Sequence, residues 1–273
     1  MDDRQSHQED DKEKTIPVIL LCGGKGTRLR EETEFKPKPL VEIGGHPIMW
    51  HIMKGYATHG YNRFILCLGY KGDLIKEYFK DMSWRANDFR LQTVADHVDI
   101  LGTNGILGED WDITFADTGL SSLTGRRLKL VEKYIDTDEF MLTYGDGVSD
   151  VDIQGLVDFH REQGTLVTIT GHRPRSKYGV LNLDGNKVTE FREKPILDNF
   201  INGGFMIMKR EVLDRIGEDE NTMLVDDLLP KLAKEGQVSL FPHDGFWHCM
   251  DTFKDYKDLN ALWESDPKWK NWE

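Results

Sequence analysis

Short apolar runs alternate along the chain with segments whose apolar residues recur at helical spacing. The apolar runs, which are typical of strands buried on both faces of a parallel sheet, lie at 15–21, 64–68, 111–116, 140–144 and 166–170. Helical spacing is found at 47–56, at 74–79, and from Thr124 onwards, where Leu128, Val131 and Ile135 form one stripe. Strands that alternate with helices predict an α/β fold, here a Rossmann-like, mixed but mainly parallel sheet with helices on both faces.

The pattern changes to strict alternation after Tyr178. Alternating residues at 178–183 and 187–191 flank Asp184-Gly185-Asn186, a sequence typical of a hairpin turn. We therefore expect a small antiparallel β insertion at about 172–205. The predicted domains are a disordered acidic tail at 1–14, an α/β domain at 15–250 that includes the insertion, and a C-terminal helical appendage at 251–273.

Composition limits the class of protein. With 273 residues, of which 38% are hydrophobic, the chain can bury a sizeable core. No run approaches the roughly 20 apolar residues that cross a bilayer, so we expect no membrane partner, and a net charge of −13 argues against binding to nucleic acid. The three cysteines are odd in number and far apart, which favours a reducing, cytoplasmic location. An apolar surface near Trp263, Trp269 and Trp272 suggests a homo-oligomer.

A glycine-rich loop follows the first apolar run directly. In Gly23-Gly24-Lys25-Gly26-Thr27-Arg28 the glycines let backbone N–H groups approach phosphate oxygens, because no Cβ blocks them. The loop fits neither a Walker A motif nor the dinucleotide fingerprint, whose third glycine is Leu29 here. Lys36 and Lys38 follow, and we expect the proline after each lysine to hold it extended. The alternative is a tight turn before a solvated charged stretch, but the glycines and cations together favour a phosphate site.

Two carboxylates are candidate ligands for Mg²⁺. Asp146 lies between glycines at the end of the apolar run 140–144, the edge of an open α/β sheet at which ligands bind. Asp251 could complete the site together with substrate phosphates. Each also has a plain structural interpretation, Asp146 as a turn residue and Asp251 as a helix N-cap. Three residues shortly before Asp251 could bind a soft metal, but they are too few for a complete site, and we assign them to the surface or the core: His243, His248 and Cys249.

Several motifs between residues 16 and 273 resemble those of a known family. They are Leu-Cys-Gly-Gly-Lys-Gly-Thr-Arg-Leu at 21–29, Lys-Pro-Lys-Pro at 36–39, Glu-Ile-Gly-Gly at 42–45, Asp-Thr-Gly at 117–119, Arg-Leu-Lys at 127–129, Tyr-Gly-Asp-Gly at 144–147, Glu-Lys-Pro at 193–195, Asn-Gly-Gly-Phe at 202–205 and Gly-Phe-Trp at 245–247. With these motifs the chain resembles the sugar-1-phosphate nucleotidylyltransferases, and within them the branch that makes CDP-glucose. It departs from the family at Arg126, where a second glycine is usual, and in the acidic tail before Ile16; at Cys22 the family often has alanine.

The resemblance implies transfer of a cytidylyl group from CTP to glucose 1-phosphate, with Mg²⁺ as cofactor. It implies a catalytic set of Arg28, Lys38, Asp146 and Asp251, in which the two aspartates hold the metal. The nucleotide-binding residues that it implies are Leu21, Cys22, Gly23, Gly24, Lys25, Gly26, Thr27, Arg28, Lys38, Ser122, Gly125, Arg127 and Gly145. The residues implied for the sugar phosphate are Tyr178, Glu193, Lys194, Asn202 and Gly203.

Such a reaction needs charge neutralisation more than it needs a base. A sugar 1-phosphate is mostly a dianion at neutral pH, so its oxygen can attack the α-phosphorus without a general base. Three alternatives stay open. The same reaction could use UTP, dTTP or another sugar 1-phosphate; the chain could be a non-catalytic regulatory module that binds nucleotide sugars; or it could be a glycosyltransferase, for which Asp150-Val151-Asp152 is a weak match to the Asp-x-Asp metal motif.

Overall fold

A computed structural model of the chain describes residues 16–80, 87–95, 97–101, 109–217 and 221–272. The predicted tail at 1–14 lies outside these residues. The strands are β1 (Val18–Leu21), β2 (Glu42–Ile43), β3 (His46–Pro47), β4 (Arg63–Leu68), β5 (Phe89–Gln92), β6 (His97–Ile100), β7 (Asp112–Asp117), β8 (Glu139–Tyr144), β9 (Gly147–Ser149), β10 (Val167–His172), β11 (Val180–Asp184), β12 (Lys187–Arg192), β13 (Ile201–Lys209), β14 (Val238–His243) and β15 (Trp247–Cys249).

Seven α-helices surround these strands in the described residues. They are α1 (Arg30–Thr33), α2 (Ile48–Ala57), α3 (Gly72–Lys80), α4 (Thr124–Leu130), α5 (Ile153–Gln163), α6 (Leu229–Lys234) and α7 (Phe253–Ser265). Short 3₁₀ turns lie at Lys38–Leu40, Glu132–Tyr134 and Arg210–Arg215, and a π turn lies at Leu224–Leu228. Within the part of the chain that the structure covers, no helix combines the length and the apolar character needed to cross a membrane.

The centre of the fold is a seven-stranded sheet in the order β14-β10-β13-β8-β1-β4-β7. Strands β8, β1, β4 and β7 run parallel to one another, as do β10 and β14. Strand β13 is antiparallel to both of its neighbours, so the sheet is mixed but mainly parallel. The predicted Rossmann-like α/β fold is confirmed.

Both faces of the sheet are covered, which explains why the central strands are continuously apolar. Along β1, Val18 and Leu20 belong to one hydrophobic cluster and Ile19 to the other, because successive side chains point to opposite faces. The first cluster includes residues of α2 and α5, and the second includes residues of α4 and α6. A strand buried on both sides cannot alternate apolar with polar residues.

Strand pairing brings the two predicted ligand-binding loops together. In the parallel pair of β1 and β8, Leu21 lies opposite Tyr144, so the glycine loop and Gly145-Asp146 leave the sheet side by side. Strand β15 pairs with β9, with Cys249 opposite Gly147, and this ladder carries the chain on to Asp251. The site therefore lies at the carboxyl ends of parallel strands, the position expected for an open α/β sheet.

The antiparallel insertion is the hairpin β11–β12, in which Val180 lies opposite Arg192 and Asp184 opposite Lys187. Most of its residues are exposed, including large apolar ones such as Leu183 and Phe191. A bridge between Arg175 and Ile196 closes the base of the hairpin. The hairpin lies inside the predicted range of 172–205, whose two ends belong to strands β10 and β13 of the central sheet. The proposed domain boundaries stay predictions.

The C-terminal tryptophans pack on their own chain, so they do not form the exposed apolar surface that the sequence suggested. Trp269 is only 1% exposed, and its Nε1 donates a hydrogen bond to Nδ1 of His51 at 3.3 Å. Trp263 and Trp272 are partly buried against the same cluster. A homo-oligomer therefore stays a prediction, without support from these residues.

His51 gives this packing a dependence on pH. Its Nδ1 accepts from Trp269, so its proton lies on Nε2, which donates to the carbonyl of Ile43 at 2.9 Å. Burial of the ring lowers the pKa of His51 from 6.5 to about 4. Below pH 6.5 the unfolded chain therefore binds a proton at His51, whereas the folded chain binds it only as the pH approaches 4. The contribution of neutral His51 to the unfolding free energy is fully present above pH 6.5 and is lost as the pH falls towards 4.

We expect His51 to contribute about 2 kcal/mol to the decrease in unfolding free energy between pH 7 and pH 5. The measurement is urea unfolding of the wild type and of His51→Gln at both pH values. The variant lacks the titrating ring, so its stability should fall less than that of the wild type. Parallel losses in the two proteins would contradict the assignment.

Candidate active site

The glycine loop makes a tight turn immediately after β1. The amide of Cys22 still donates to the carbonyl of Cys67, at 3.1 Å, and then the chain leaves the sheet. Gly26 has a φ of +61°, a conformation that favours glycine, and its carbonyl accepts from the amide of Leu29 at 3.0 Å. A turn of this kind, with exposed backbone at Gly24, suits an anion.

Four charged side chains from distant parts of the chain meet beside this loop. The Nζ of Lys38 lies 2.6 Å from Oδ2 of Asp146 and 2.7 Å from Oδ1 of Asp251. The Nη1 of Arg28 donates to Oδ2 of Asp251 at 2.8 Å. The structure thus brings together all four residues of the predicted catalytic set.

Local structure explains the positions of two of these residues, Lys38 and Asp251. Lys38 begins a 3₁₀ turn directly after Pro37, so the expectation that this lysine is extended was wrong. Pro39 is tolerated at the second position of the turn, because the backbone N–H that it lacks would have no partner within the turn. Asp251 is not the N-cap of α7 either. Thr252 is the N-cap and forms a capping box with Asp255, which leaves the Asp251 carboxylate to the site.

Charge controls the protonation of Lys38. Burial by itself would lower the pKa of this amine. The charge of Asp146 and the hydrogen bonds to both carboxylates outweigh burial, so the pKa lies above its ordinary value. Lys38 is therefore a fixed cation at neutral pH, and it cannot act as a general base.

Arg127 is a buried support beneath the glycine loop. Its Nη1 donates to the carbonyl of Leu68 at 3.0 Å and to Oγ1 of Thr118 at 2.7 Å, and its Nη2 donates to the carbonyl of Gly23 at 3.2 Å. A Cβ at Gly23 would lie only 2.1 Å from Nη1 of this arginine. The contacts with backbone show that Arg127 holds the loop from behind, in addition to lining the cavity in front.

A cavity of roughly 350 Å³ lies in front of the glycine loop. The predicted nucleotide-binding residues that line it are Leu21, Cys22, Gly23, Gly24, Gly26, Thr27, Arg28, Lys38, Ser122, Arg127 and Gly145, and Asp146 lines it with them. Lys25 lines a neighbouring cavity of roughly 280 Å³ instead. Gly125 lies behind the lining, where a Cβ would meet the carbonyl oxygen of Thr222 at 2.8 Å.

Sequence reasoning missed five lining residues: Pro39, Leu123, Thr124, Tyr144 and Met223. Met223 comes from a distant loop that hydrogen bonds fasten to the start of α4. The carbonyl of Thr222 accepts from the amide of Arg126 at 3.2 Å, and Oγ1 of Thr124 accepts from the amide of Leu224 at 2.9 Å. No local motif marks Met223, so only this tertiary contact could reveal it.

The structure places only some of the predicted sugar-phosphate residues near the cavity. Asn202 lies at the cavity edge, where its Nδ2 is 3.4 Å from the hydroxyl of Tyr144. The carbonyl of Gly203 accepts from Nε1 of Trp247 at 2.7 Å. Tyr178, Glu193 and Lys194 flank the β11–β12 hairpin and are exposed. Of the five, none belongs to the described lining of the nucleotide cavity.

The Asp150-Val151-Asp152 segment has other partners. Oδ1 of Asp150 lies 3.1 Å from Nε2 of His243, and Oδ1 of Asp152 accepts from the amide of Gly155 at 2.9 Å as the N-cap of α5. An N-cap carboxylate is committed to a helix end. The segment therefore gives no support to a glycosyltransferase.

The donor set beside the loop fits a divalent cation. Ligand atoms of Asp146, Cys249 and Asp251 all lie within 4.8 Å of one another, and the described part of the chain holds no other group of this kind. The Lys38 ammonium, which bridges the two carboxylates, shows that a positive charge is stable between them. Sequence reasoning assigned Cys249 to the surface or the core and so missed its place beside the aspartates; burial, and then the charge of Asp146, raise the pKa of its thiol.

Comparison with known proteins decides the family. The family model described as "Nucleotidyl transferase" matches residues 17–266. This chain belongs to the nucleotidyl transferase family. The predicted family is thereby confirmed, and the chain is an enzyme of the nucleotidyltransferase class.

Two relatives of this nucleotidyltransferase match it over nearly its whole length. A "Glucose-1-phosphate cytidylyltransferase" of Salmonella typhi is 45% identical over 261 residues, which cover 94% of this chain and 100% of the relative. A "Probable glucose-1-phosphate cytidylyltransferase" of Bacillus subtilis is 42% identical over 258 residues, with the same coverage of both chains. A solved UDP-glucose pyrophosphorylase of Acinetobacter baumanii has a TM-score of 0.68 at 14% identity, covering 94% of this chain and 96% of that one, which supports the fold alone.

Gly23→Ala is expected to destabilise this nucleotidyltransferase by about 1–3 kcal/mol. The new Cβ would overlap the guanidinium of Arg127, which its bonds to Leu68 and Thr118 hold in place. Gly24→Ala is the matched control, since a Cβ there meets no described atom within 4 Å. Chemical denaturation compares the two variants, and equal unfolding free energies would contradict this packing.

Proposed function

We propose that this chain transfers the cytidylyl group of CTP to α-D-glucose 1-phosphate, giving CDP-glucose and pyrophosphate. The observation that carries the proposal is the meeting of Arg28 and Lys38 with Asp146 and Asp251 at the edge of the glycine-loop cavity. The base and the sugar are taken from the printed names of relatives that are 42% and 45% identical.

Residues at one end of the cavity are suited to the triphosphate. Backbone N–H groups of the glycine loop would bind its oxygens, and Arg28 and Lys38 would neutralise its charge. At the other end, Ser122 would lie along the nucleoside, with Met223 as an apolar contact. Arg127 would support the loop through its hydrogen bond to Gly23. A long anion thus meets cations at its phosphate end and a mixed surface at its base end.

Asp146 and Asp251 would hold Mg²⁺, a hard cation that prefers oxygen ligands. When bound, the ion supplies charge stabilisation for the phosphates that react and leave. Neither aspartate is needed as a base, because the sugar phosphate reaches the site as a nucleophilic dianion. The protein's own task is to align two polyanions, and positioning of this kind can supply roughly 7–11 kcal/mol of a barrier.

Lys38 is suited to stabilise the transition state. Its charge is fixed, its side chain is only 10% exposed, and it lies between the two carboxylates that would hold the ion. A preorganised cation in a place with little water stabilises developing charge more strongly than one in bulk solvent. Arg28, whose side chain is 71% exposed, is better suited to bind incoming phosphates.

The sugar phosphate would enter from the side of Tyr144 and Asn202, which touch at the cavity edge. Glu193, Lys194 and Tyr178 would reach it from the flanks of the hairpin. Lys194 has a φ of +46°, in the left-handed region that L residues avoid, and strained backbone of this kind is concentrated at ligand-binding sites. Its ammonium is a candidate partner for the sugar-linked phosphate.

The proposal is tested by a matrix of CTP, UTP, dTTP, ATP and GTP against several sugar 1-phosphates, read as Mg²⁺-dependent pyrophosphate release. CTP with glucose 1-phosphate should react fastest, by at least about tenfold over the other pairs. A different best pair would keep the reaction and correct the substrates. Nucleotide-sugar binding without any pyrophosphate release would indicate the regulatory module instead.

A further inference from the structure

Cys249 adds a sulfur atom to the pair of carboxylates. Pairing of β15 with β9 sets Cys249 opposite Gly147, and the amide of Met250 donates to the carbonyl of Asp146 at 2.8 Å. This ladder fixes the cysteine beside Asp146 and two residues before Asp251. As a result, Sγ of Cys249 and one oxygen of each aspartate lie within 4.8 Å of one another.

Two observations show that this place accepts a cation and can be reached. The Lys38 ammonium lies 2.6 Å and 2.7 Å from the two carboxylates, so positive charge already resides between them. All three potential ligands are half-buried, and one of them, Asp146, lines the cavity in front of the glycine loop. An ion can therefore enter from solvent, and the flexible stem of Lys38 lets the ammonium move aside.

We infer that Asp146, Cys249 and Asp251 form a binding site for a thiophilic divalent cation, Zn²⁺ or Cd²⁺, which competes there with Mg²⁺. The inference rests on the proposed function in one respect, because it takes these two aspartates as the ligands of the working ion. Its new content is the role of Cys249 and the class of ion that this cysteine selects.

The selectivity follows from the softness of sulfur. Thiolate ligands favour Zn²⁺ and similar ions, whereas Mg²⁺ takes oxygen ligands and keeps much of its water. Two carboxylate oxygens and one thiolate provide three of the four ligands of a tetrahedral zinc site and leave one position open. Donor atoms in such a site lie roughly 3.3–3.8 Å apart, given metal–ligand bonds of about 2.0–2.3 Å, so small side-chain rotations would close this group.

Binding of such an ion has two consequences. The thiol proton of Cys249 is released to solvent as the metal–sulfur bond forms. The ion also occupies the carboxylates that Mg²⁺ requires, so Zn²⁺ or Cd²⁺ inhibits the Mg²⁺-dependent reaction until a chelator removes it. A carboxylate pair without the sulfur would discriminate much less between the hard and the soft ion.

The test is a titration of the full chain with Cd²⁺ in the absence of nucleotide, followed by the ultraviolet band that a cadmium–thiolate bond produces. We expect about one bound Cd²⁺ per chain with this band, and loss of the band in Cys249→Ser and Cys249→Ala with at least about tenfold weaker binding. Cys22→Ser is the matched control: this cysteine is buried beside the loop and outside the ligand group, so the band should persist.

Competition with Mg²⁺ needs no variant. An excess of Mg²⁺ should reduce the cadmium band of the wild-type chain if both ions use Asp146 and Asp251. A band that survives in the folded Cys249 variants, or that Mg²⁺ in large excess leaves unchanged, would overturn the inference. The titration contains neither CTP nor sugar phosphate, so its outcome is independent of the pyrophosphate assay, and failure of either idea can be recognised separately.

Discussion

Asp146→Asn and Asp251→Asn are each expected to reduce Mg²⁺-dependent pyrophosphate release by at least about 10³-fold, or about 4 kcal/mol of transition-state stabilisation. Each change removes a negative charge from the centre and keeps the size of the side chain. The remaining carboxylate would still be neutralised by Lys38, so the metal would lose most of its electrostatic attraction. Steady-state kinetics over a range of Mg²⁺ concentrations measures the loss.

Asp150→Asn is the matched control for both variants. Asp150 is an exposed carboxylate four positions after Asp146, and it contacts His243 away from the proposed metal ligands. Its activity should stay near that of the wild type. If Asp150→Asn lost activity while Asp146→Asn retained it, the metal site would have to be moved to the Asp150-Val151-Asp152 segment, and a glycosyltransferase would again become a candidate.

Lys38→Ala is expected to change rate and metal binding in opposite directions. The rate constant of the chemical step should fall about 10²–10³-fold, because a preorganised charge at the reacting phosphates is lost. Binding of Mg²⁺ without nucleotide should become tighter, because the ammonium that now bridges Asp146 and Asp251 no longer competes for them. Single-turnover kinetics and a direct metal titration measure the two effects.

Lys36→Ala is the control for Lys38→Ala. Lys36 stands two positions earlier in the same lysine–proline repeat, but its Nζ lies 3.5 Å from Oε1 of Glu42 and makes no described contact with either aspartate. Its loss should leave Mg²⁺ binding unchanged. A pure rise in the Michaelis constant for CTP in Lys38→Ala would assign the lysine to ground-state binding, and weaker Mg²⁺ binding would make it an organiser of the carboxylates.

The sequence by itself determined the fold class and the edge of the sheet at which the site lies. Apolar runs such as 64–68 and 140–144 became strands because burial on both faces requires apolar residues at every position. The glycine loop could also be recognised from the sequence, because a turn with a positive φ, such as that at Gly26, favours glycine. Parallel strands end at one edge, so Asp146 could be placed next to the loop before any distance was known.

Local sequence patterns predicted less well those residues whose conformation or burial depends on tertiary contacts. Lys38 looked extended because a proline follows it, yet it begins a 3₁₀ turn in which the proline is tolerated. The tryptophans near the end looked like an interface, yet Trp269 is buried on His51 of α2, which lies 218 residues earlier in the chain. Hydrophobic residues indicate that burial occurs, but not which surface provides it.

Only the tertiary structure decided the composition of the site. Lys38 lies 108 residues from Asp146 and 213 residues from Asp251, and no spacing rule connects such positions. The pairing of β15 with β9 brought Cys249 to the same centre, and hydrogen bonds to α4 brought Met223 to the cavity. The sequence specifies local conformation through short-range sterics, whereas these contacts depend on how separate elements pack, so they exist only once the chain has folded.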